Sequence, residues 1–352
     1  MKKDLFKGSE IVCKALIKEG VDTVFGIPGG AILPLYGTLN NFPEIRHILT
    51  RHEQGACHAA DGYSRVSGKT GVAVTTSGPG ATNLITGICC SYYDSIPSLF
   101  ITGQVSTMRM KGDTGVRQIG FQETPIVDIA EEITKYAYTI VDPEEIKYQL
   151  QKALHIAKSG RPGPVLIDIP DDLQRQLVDP LKLKNFQAPA AQELPHLKNS
   201  LQDTMDSIMN SKRPILIAGW GVHLSDTEAE FLKFAESFNI PIALTWGAAD
   251  LIPFDHDLYV GTFGTHGNRH ANFAVQNADL IISLGSRLDT KSTGSPVNTF
   301  AREARKIMID IDINELNKFQ YFETFIRVES TDISLIKKFY NENKELFKEK
   351  FI

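Results

Sequence analysis

"GVAVTTSGPGATNL", residues 71–84, decides the fold. A β-branched run, 71–76, stops at a turn built from Gly78, Pro79 and Gly80, and small residues of helical character follow. Strand, glycine-rich turn and helix in that order are the unit from which parallel α/β sheets are built. The pattern spreads in both directions. "DTVFGI" (22–27), "IRHILT" (45–50), "SLFITG" (98–103) and "PVLIDI" (164–169) read as buried strands with helical stretches between them. Beyond residue 210 it starts again, with "RPILIAGWG" (213–221), "PIALTW" (241–246), "ADLIISLGSR" (278–287), "ARKIMIDID" (304–312) and "TFIRVES" (324–330) as strands and 225–238 as a helix. The reading is therefore α/β, two doubly wound parallel-sheet domains. The first spans 1–175. A Pro-, Ala- and Lys-containing linker without a strand spans 176–195. A second, Rossmann-like domain covers 196–335, and a charged helical tail covers 336–352.

Composition narrows the class of function. The chain has 352 residues, 42% apolar and 22% charged, which suits a soluble globular protein of two domains. Lys+Arg 37 against Asp+Glu 42 leaves a net charge of −5, which argues against nucleic acid as the main partner. No apolar run could span a bilayer, and the two lysines of "MKKDLFKGSE" have no apolar stretch behind them. Neither a membrane nor a signal peptide is expected, and the expected location is the cytoplasm. Cys13, Cys57, Cys89 and Cys90 form no CxxC pair, so reduced thiols are expected rather than a zinc site.

Three glycine-rich turns, "FGIPGGAI" (25–32), "TTSGPGATN" (75–83) and "ITGQV" (101–105), follow strands. Open α/β sheets bind ligands at the carboxyl ends of their strands, and glycine lets backbone approach a ligand there. Each turn alone reads as a tight turn. Together with Glu53 they point to a site. None fits the dinucleotide fingerprint, because Asn83 stands where its third glycine would fall. Glu53 opens "RHEQGACHAADGYSR" (51–65), a segment almost free of large side chains. A carboxylate at a helix N-terminus has an electrostatic reason worth about 0.3–1 kcal/mol, but that does not explain the small residues behind it. Those offer a smooth face for a flat ring or another subunit. His52 and His58 are six apart, not four, so a helical zinc pair is not expected.

The stretches "FGIPGG", "RHEQGACHAADGYSR", "TTSGPGATNLITGI", "DSIPSLFITGQV", "GFQETPIVDI" and "GRPGPVLIDIP", in this order and spacing, resemble the thiamine diphosphate (ThDP) enzymes, and within them the acetolactate synthase large subunits. The resemblance implies a ThDP-dependent carboligase or decarboxylase acting on a small 2-oxo acid. It implies that Glu53 hydrogen-bonds N1′ of the cofactor's aminopyrimidine. Glu53 and Gln104 become the catalytic candidates, with Pro28, Gly29, Thr76 and Asn83 lining the ThDP pyrimidine. Phe121 and Gln122 lie in a loop that covers the site of a neighbouring subunit in a homodimer or larger oligomer. For the second half the resemblance implies FAD in a non-redox role. Its contacts would be Arg161, Gly219, Gly221, Thr265, His266, Gly267, Gly285, Arg287, Asp289 and Asp310. The alternative is a structural spacer domain, since related ThDP enzymes keep this domain without flavin.

Three departures stand out. Gly219-Trp220-Gly221 replaces three glycines. Leu288, Thr290 and Lys291 replace Phe, Asp and Arg. "GVRQIGFQE" (115–123) resembles acetolactate-synthase-like proteins encoded with surface-polysaccharide genes, which leaves a ThDP lyase of sugar precursors as an alternative. The family's Gly-Asp-Gly…Asn motif for Mg²⁺ and diphosphate is not found. The sole Gly-Asp, Gly112-Asp113, is followed by Thr114. The expectation is the first two-thirds of such an enzyme, with no metal ligands of its own. Mg²⁺ would come through a further domain or a partner chain, and a non-catalytic remnant is the remaining alternative.

Overall fold

The computed structural model describes residues 5–189, 197–319 and 325–329. The chain divides into two units, Met1–Ala190 and Ala191–Ile352. In the first, strands β1 (Phe6–Lys7), β2 (Thr23–Gly26), β3 (Arg46–Leu49), β4 (Gly71–Thr75), β5 (Ser98–Gln104), β6 (Tyr136–Thr139), β7 (Val165–Pro170) and β8 (Leu177–Val178) follow one another in sequence. Six of them form a parallel sheet in the order β3-β2-β4-β5-β7-β6.

Alternate residues supply its two faces, as the period of two requires. Val72, Val74, Leu99, Ile101, Val165 and Ile167 pack under helices α1 (Gly8–Lys18) and α2 (Leu33–Leu39). Ala73, Phe100 and Leu166 face the opposite layer, which includes α3 (Glu53–Ser67), the short α4 (Pro79–Thr82), α5 (Ile85–Tyr93) and α6 (Ile126–Ala130). The helix α7 (Ile146–Lys158) joins α1 on the first face through Leu150 and Leu154.

The small residues of α3 let it lie close. Gly87 of α5 sits so near Cys57 that an added methyl would come within 2.2 Å of its Sγ. The helix starts where His52, in extended conformation, accepts from the Gln54 N–H, and stops at Gly68 with φ +68°.

Strands β9 (Pro214–Ala218), β10 (Ile242–Leu244), β11 (Tyr259–Thr262), β12 (Leu280–Leu284), β13 (Arg305–Asp310) and β14 (Phe325–Glu329) make the second unit's parallel sheet. Its order, β11-β10-β9-β12-β13-β14, is that of a dinucleotide-binding fold. Leu216, Ile282 and Ile307 meet the helix Glu228–Phe238 through Phe231 and Phe234. Ile217, Ile281 and Met308 meet Ala271 and Val275 of the helix Arg269–Gln276 on the other face.

The structure corrects several boundaries. The segment expected to hold no strand contains Leu177–Val178, which pairs antiparallel with Phe6–Lys7. Two residues are too few to leave a periodic signal. The four-residue strands β6 and β11 were not expected either. The tyrosines of β6 are only half-buried, and Gly261, with φ +100°, interrupts β11. The helix expected from residue 225 begins at Glu228, because Asp226 takes a left-handed φ of +54°. The expected helical tail lies outside the described residues.

Candidate active site

In the first unit the sheet order reverses between β2 and β4. Ligands bind such sheets at the crevice beyond that point. The turns after β2 and β4 frame it, and Glu53, four residues after the end of the neighbouring strand β3 at Leu49, opens α3 beside them. Asn83 donates from Nδ2 to Glu53 Oε2 at 2.9 Å. No donor among the described residues bonds Oε1. The space beside that oxygen is kept by Gly80, where an added methyl would lie 3.4 Å from Oε1 and 2.6 Å from Thr76 Cγ2. Gly29 approaches Thr76 from the other turn, where a methyl would come within 2.5 Å of its Cβ. The Ala31 N–H donates to Thr76 Oγ1 at 3.2 Å, tying the two turns. Pro28 and Gly30 are exposed at the rim. Tyr36 lies beneath, its hydroxyl donating to the Val74 carbonyl at 2.8 Å. Burial, and then the charge of Glu53, make that phenol harder to ionise than usual.

Gln104 ends β5 and is buried. Its Nε2 donates to the Thr124 carbonyl at 2.9 Å and to Asp168 Oδ2 at 3.0 Å, and its Oε1 accepts from the Val105 N–H at 3.0 Å. Asp168, on β7, was not foreseen. It is 1% exposed and also accepts from Thr102 Oγ1 at 2.6 Å and Thr139 Oγ1 at 3.2 Å. Desolvation pushes its carboxyl up to about 6 despite these bonds. A lone Asp in a strand of large aliphatics, "PVLIDIP", was the available signal. The loop 106–125 leads back toward the crevice. Gln122, at φ +62°, rests on Gly78, where a methyl would come within 2.7 Å of its Cβ. Phe121 beside it is 84% exposed. Glu53, Thr76, Asn83, Gly29 and Gln122 are thus gathered at one crevice, while Gln104's polar atoms are turned into the protein. Arg161 donates from Nε to Ser95 Oγ at 2.8 Å within this unit.

In the second unit the corresponding crevice lies between β9 and β12. A methyl on Gly219 would come within 2.2 Å of the Gly285 carbonyl oxygen, and one on Gly221 within 2.6 Å of Gly285 Cα. The Gly221 N–H donates to the Gly285 carbonyl at 3.0 Å. Thr265 donates from both N–H and Oγ1 to the Lys291 carbonyl, and Gly267 closes a tight turn onto Gly264. Asp289 caps the short helix Thr290–Thr293, and Asp310 accepts from the Asp312 N–H. Arg287 accepts at its carbonyl from Lys318. His266 is exposed, with its ring 4.9 Å from that of Trp246. Most of these residues build the loops. The exposed His266–Trp246 pair lies beside these loops.

Residues 6–130 match the family description "Thiamine pyrophosphate enzyme, N-terminal TPP binding domain", and 201–329 match the "Thiamine pyrophosphate enzyme, central domain". The chain belongs to the thiamine pyrophosphate enzymes. It is 43% identical over 319 residues to a probable acetolactate synthase large subunit of Methanocaldococcus jannaschii, covering 89% of this chain and 52% of that protein. It is 42% identical over 318 residues to the acetolactate synthase large subunit of Lactococcus lactis, covering 88% and 53%. With the chloroplastic acetolactate synthase of Arabidopsis thaliana it shares 40% over 315 residues, covering 89% and 46%. The chain spans about half the length of the curated relatives it matches.

For a thiamine pyrophosphate enzyme the first crevice is well made. Gly29 and Gly80 hold the turns close, the space at Gly30 is open, and Oε1 of Glu53 has no donor among the described residues. In the second crevice Gly219 and Gly221 pack on Gly285 so closely that none of the three could carry a side chain. Among the described residues no three His, Cys, Asp or Glu side chains gather as a metal site, and no helix is long and apolar enough to cross a membrane.

Proposed function

We propose that this chain supplies the aminopyrimidine half of a ThDP site in a carboligase or decarboxylase of 2-oxo acids. The reaction is of acetolactate synthase type, pyruvate to acetolactate, on the way to branched-chain amino acids. One observation carries the reading: Glu53, fixed by Asn83 at the point of strand reversal, keeps Oε1 open beside Gly80. When bound, ThDP supplies the electron sink for loss of CO₂ from a 2-oxo acid and carbon–carbon bond formation with a second. The chain's own residues do the rest. Glu53 holds or releases a proton at N1′ of the pyrimidine. Asn83 orients that carboxylate, Thr76 and Gly29 set the width of the crevice, and Gln122 roofs it. Gln104 must turn away from Asp168 before it could serve the reacting groups. Its present bonds suit a positioning role for the strand end.

Mg²⁺ and the diphosphate are assigned to a domain or partner chain beyond these residues. The exposed Gly55 and His58, with open space at Gly62, give α3 a smooth outer face for a second copy, in line with a homo-oligomer. For the central unit we propose a spacer role. Flavin absorbance in the purified protein would overturn that. The test of the main reading is pyruvate turnover with ThDP and Mg²⁺, by the chain alone and mixed with a separately expressed diphosphate-binding domain of a full-length relative. Turnover in the mixture, abolished by Glu53→Gln, supports it. ThDP-dependent turnover of another 2-oxo compound but not pyruvate would favour the sugar-precursor lyase. Silence with every substrate would leave a non-catalytic binding unit.

A further inference from the structure

Between β5 and α6 the chain makes an exposed loop that closes on a single buried carboxylate. Glu123 is 8% exposed. Its Oε1 accepts from the Lys111 N–H at 2.6 Å, and its Oε2 from the Ile119 N–H at 2.9 Å. Those amides lie twelve and four residues earlier in the chain. Its own N–H donates to the Gly120 carbonyl at 3.1 Å, and its carbonyl accepts from Gln118 Nε2 at 2.9 Å. Gly120 in turn donates to the Arg109 carbonyl and presses on Val105 so closely that a methyl there would meet Val105 Cγ1 at 2.8 Å. Everything else about the loop argues for opening. Met108, Ile119 and Phe121 are exposed, and the segment 112–119 has no buried residue. Charge-assisted bonds to two backbone amides are what a short, solvent-facing loop needs to hold one shape. Immediately before the carboxylate's own position, Gln122 takes its left-handed φ and sits on Gly78, two residues from the glycine that borders Glu53 Oε1.

We propose that Glu123 is a positioning residue: its carboxylate latches the loop 106–122 and thereby seats Gln122 on Gly78 at the mouth of the Glu53 crevice. The roof is then built before any ligand arrives. The inference rests on the reading of that crevice as the ThDP site, and its test separates the two. Hydrogen exchange of the Lys111 and Ile119 amides is measured in the full chain for wild type, Glu123→Ala and Glu123→Gln. Loss of the acceptor in Glu123→Ala should speed both amides by about tenfold or more. Glu123→Gln keeps one acceptor oxygen and should release one amide only, which also covers failure of the alanine variant to fold. Strand amides of β5 and β7 should not change. Gly78→Ala, pushing on Gln122 from the other side, should release the same two amides.

Two amides that stay protected in Glu123→Ala, or that ignore Gly78→Ala, would overturn the latch whatever the enzyme does. In the complemented mixture, Glu123→Gln should raise the KM for ThDP about tenfold with a much smaller change in kcat. A merely structural role would release the amides and leave KM alone, and that result would also overturn the inference. Should the wild-type mixture turn nothing over, the function reading fails, while the exchange results still decide the latch.

Discussion

Replacing Asp168 with Asn should change how the first unit's stability depends on pH. The carboxyl is held at about 6 rather than 3.8 because burial disfavours its charged form. The folded protein therefore binds this proton more tightly than the unfolded chain. Stability from this group is present below the unfolded value and is lost as pH rises through about 6. The difference amounts to about 3 kcal/mol across that window. Other carboxylates titrate there too, so the quantity to follow is the difference between wild type and Asp168→Asn. Central-strand amides, such as those of Ile101 and Ile167, report unfolding of this unit by hydrogen exchange, and comparison at equal pH cancels the intrinsic rate. The wild type should lose about 2.4 kcal/mol relative to the variant between pH 4 and pH 7. A difference that stays constant within about 0.5 kcal/mol would refute the claim that Asp168 is desolvated beyond what Thr102, Gln104 and Thr139 repair.

Other perturbations have equally definite outcomes. Glu53→Gln should lower ThDP-dependent turnover by about 10²–10⁴-fold. Its effect on stability should stay within about 1 kcal/mol, the size of a helix-terminus charge effect, as read by denaturant unfolding. Gly87→Ala forces a methyl to within 2.2 Å of Cys57 Sγ. The overpacking of about 1–3 kcal/mol should outweigh the gain of up to about 1 kcal/mol in helix propensity, seen as faster exchange in α3 and α5. Lys135 is lowered to about 8 by burial, where it caps the carbonyls of Ile156 and Ser159. Its neutral form is favoured when folded, so stability should rise as pH climbs from about 8 towards 10 and that rise should vanish in Lys135→Met.

The sheets were legible because their strands are buried on both faces. Runs such as GVAVTT and PVLIDI carry β-branched side chains above and below, and no helix period competes with them. Edge and two-residue strands escaped for the converse reason. Tyr136 and Tyr138 have one wet side, and Leu177–Val178 is defined by its partner, not by its own pattern. Glu53 draws attention in the sequence because a charge heads a run of small residues. Glu123 and Asp168 could not be weighed in the same way. A sequence shows a carboxylate, but not which backbone amides or hydroxyls will fold back onto it. The central unit's glycines show the same limit. The resemblance names Gly219, Gly221 and Gly285 as flavin contacts, but it does not show that they also lie against one another.

The two-residue ladder between Phe6–Lys7 and Leu177–Val178 brings the entry and the exit of the first sheet side by side. A body whose chain comes in and goes out at one spot is portable. It can be set into another polypeptide, or have its connection order changed, with little strain on its interior. Gene rearrangement can therefore move such a unit as a ready-folded piece and leave its interior intact.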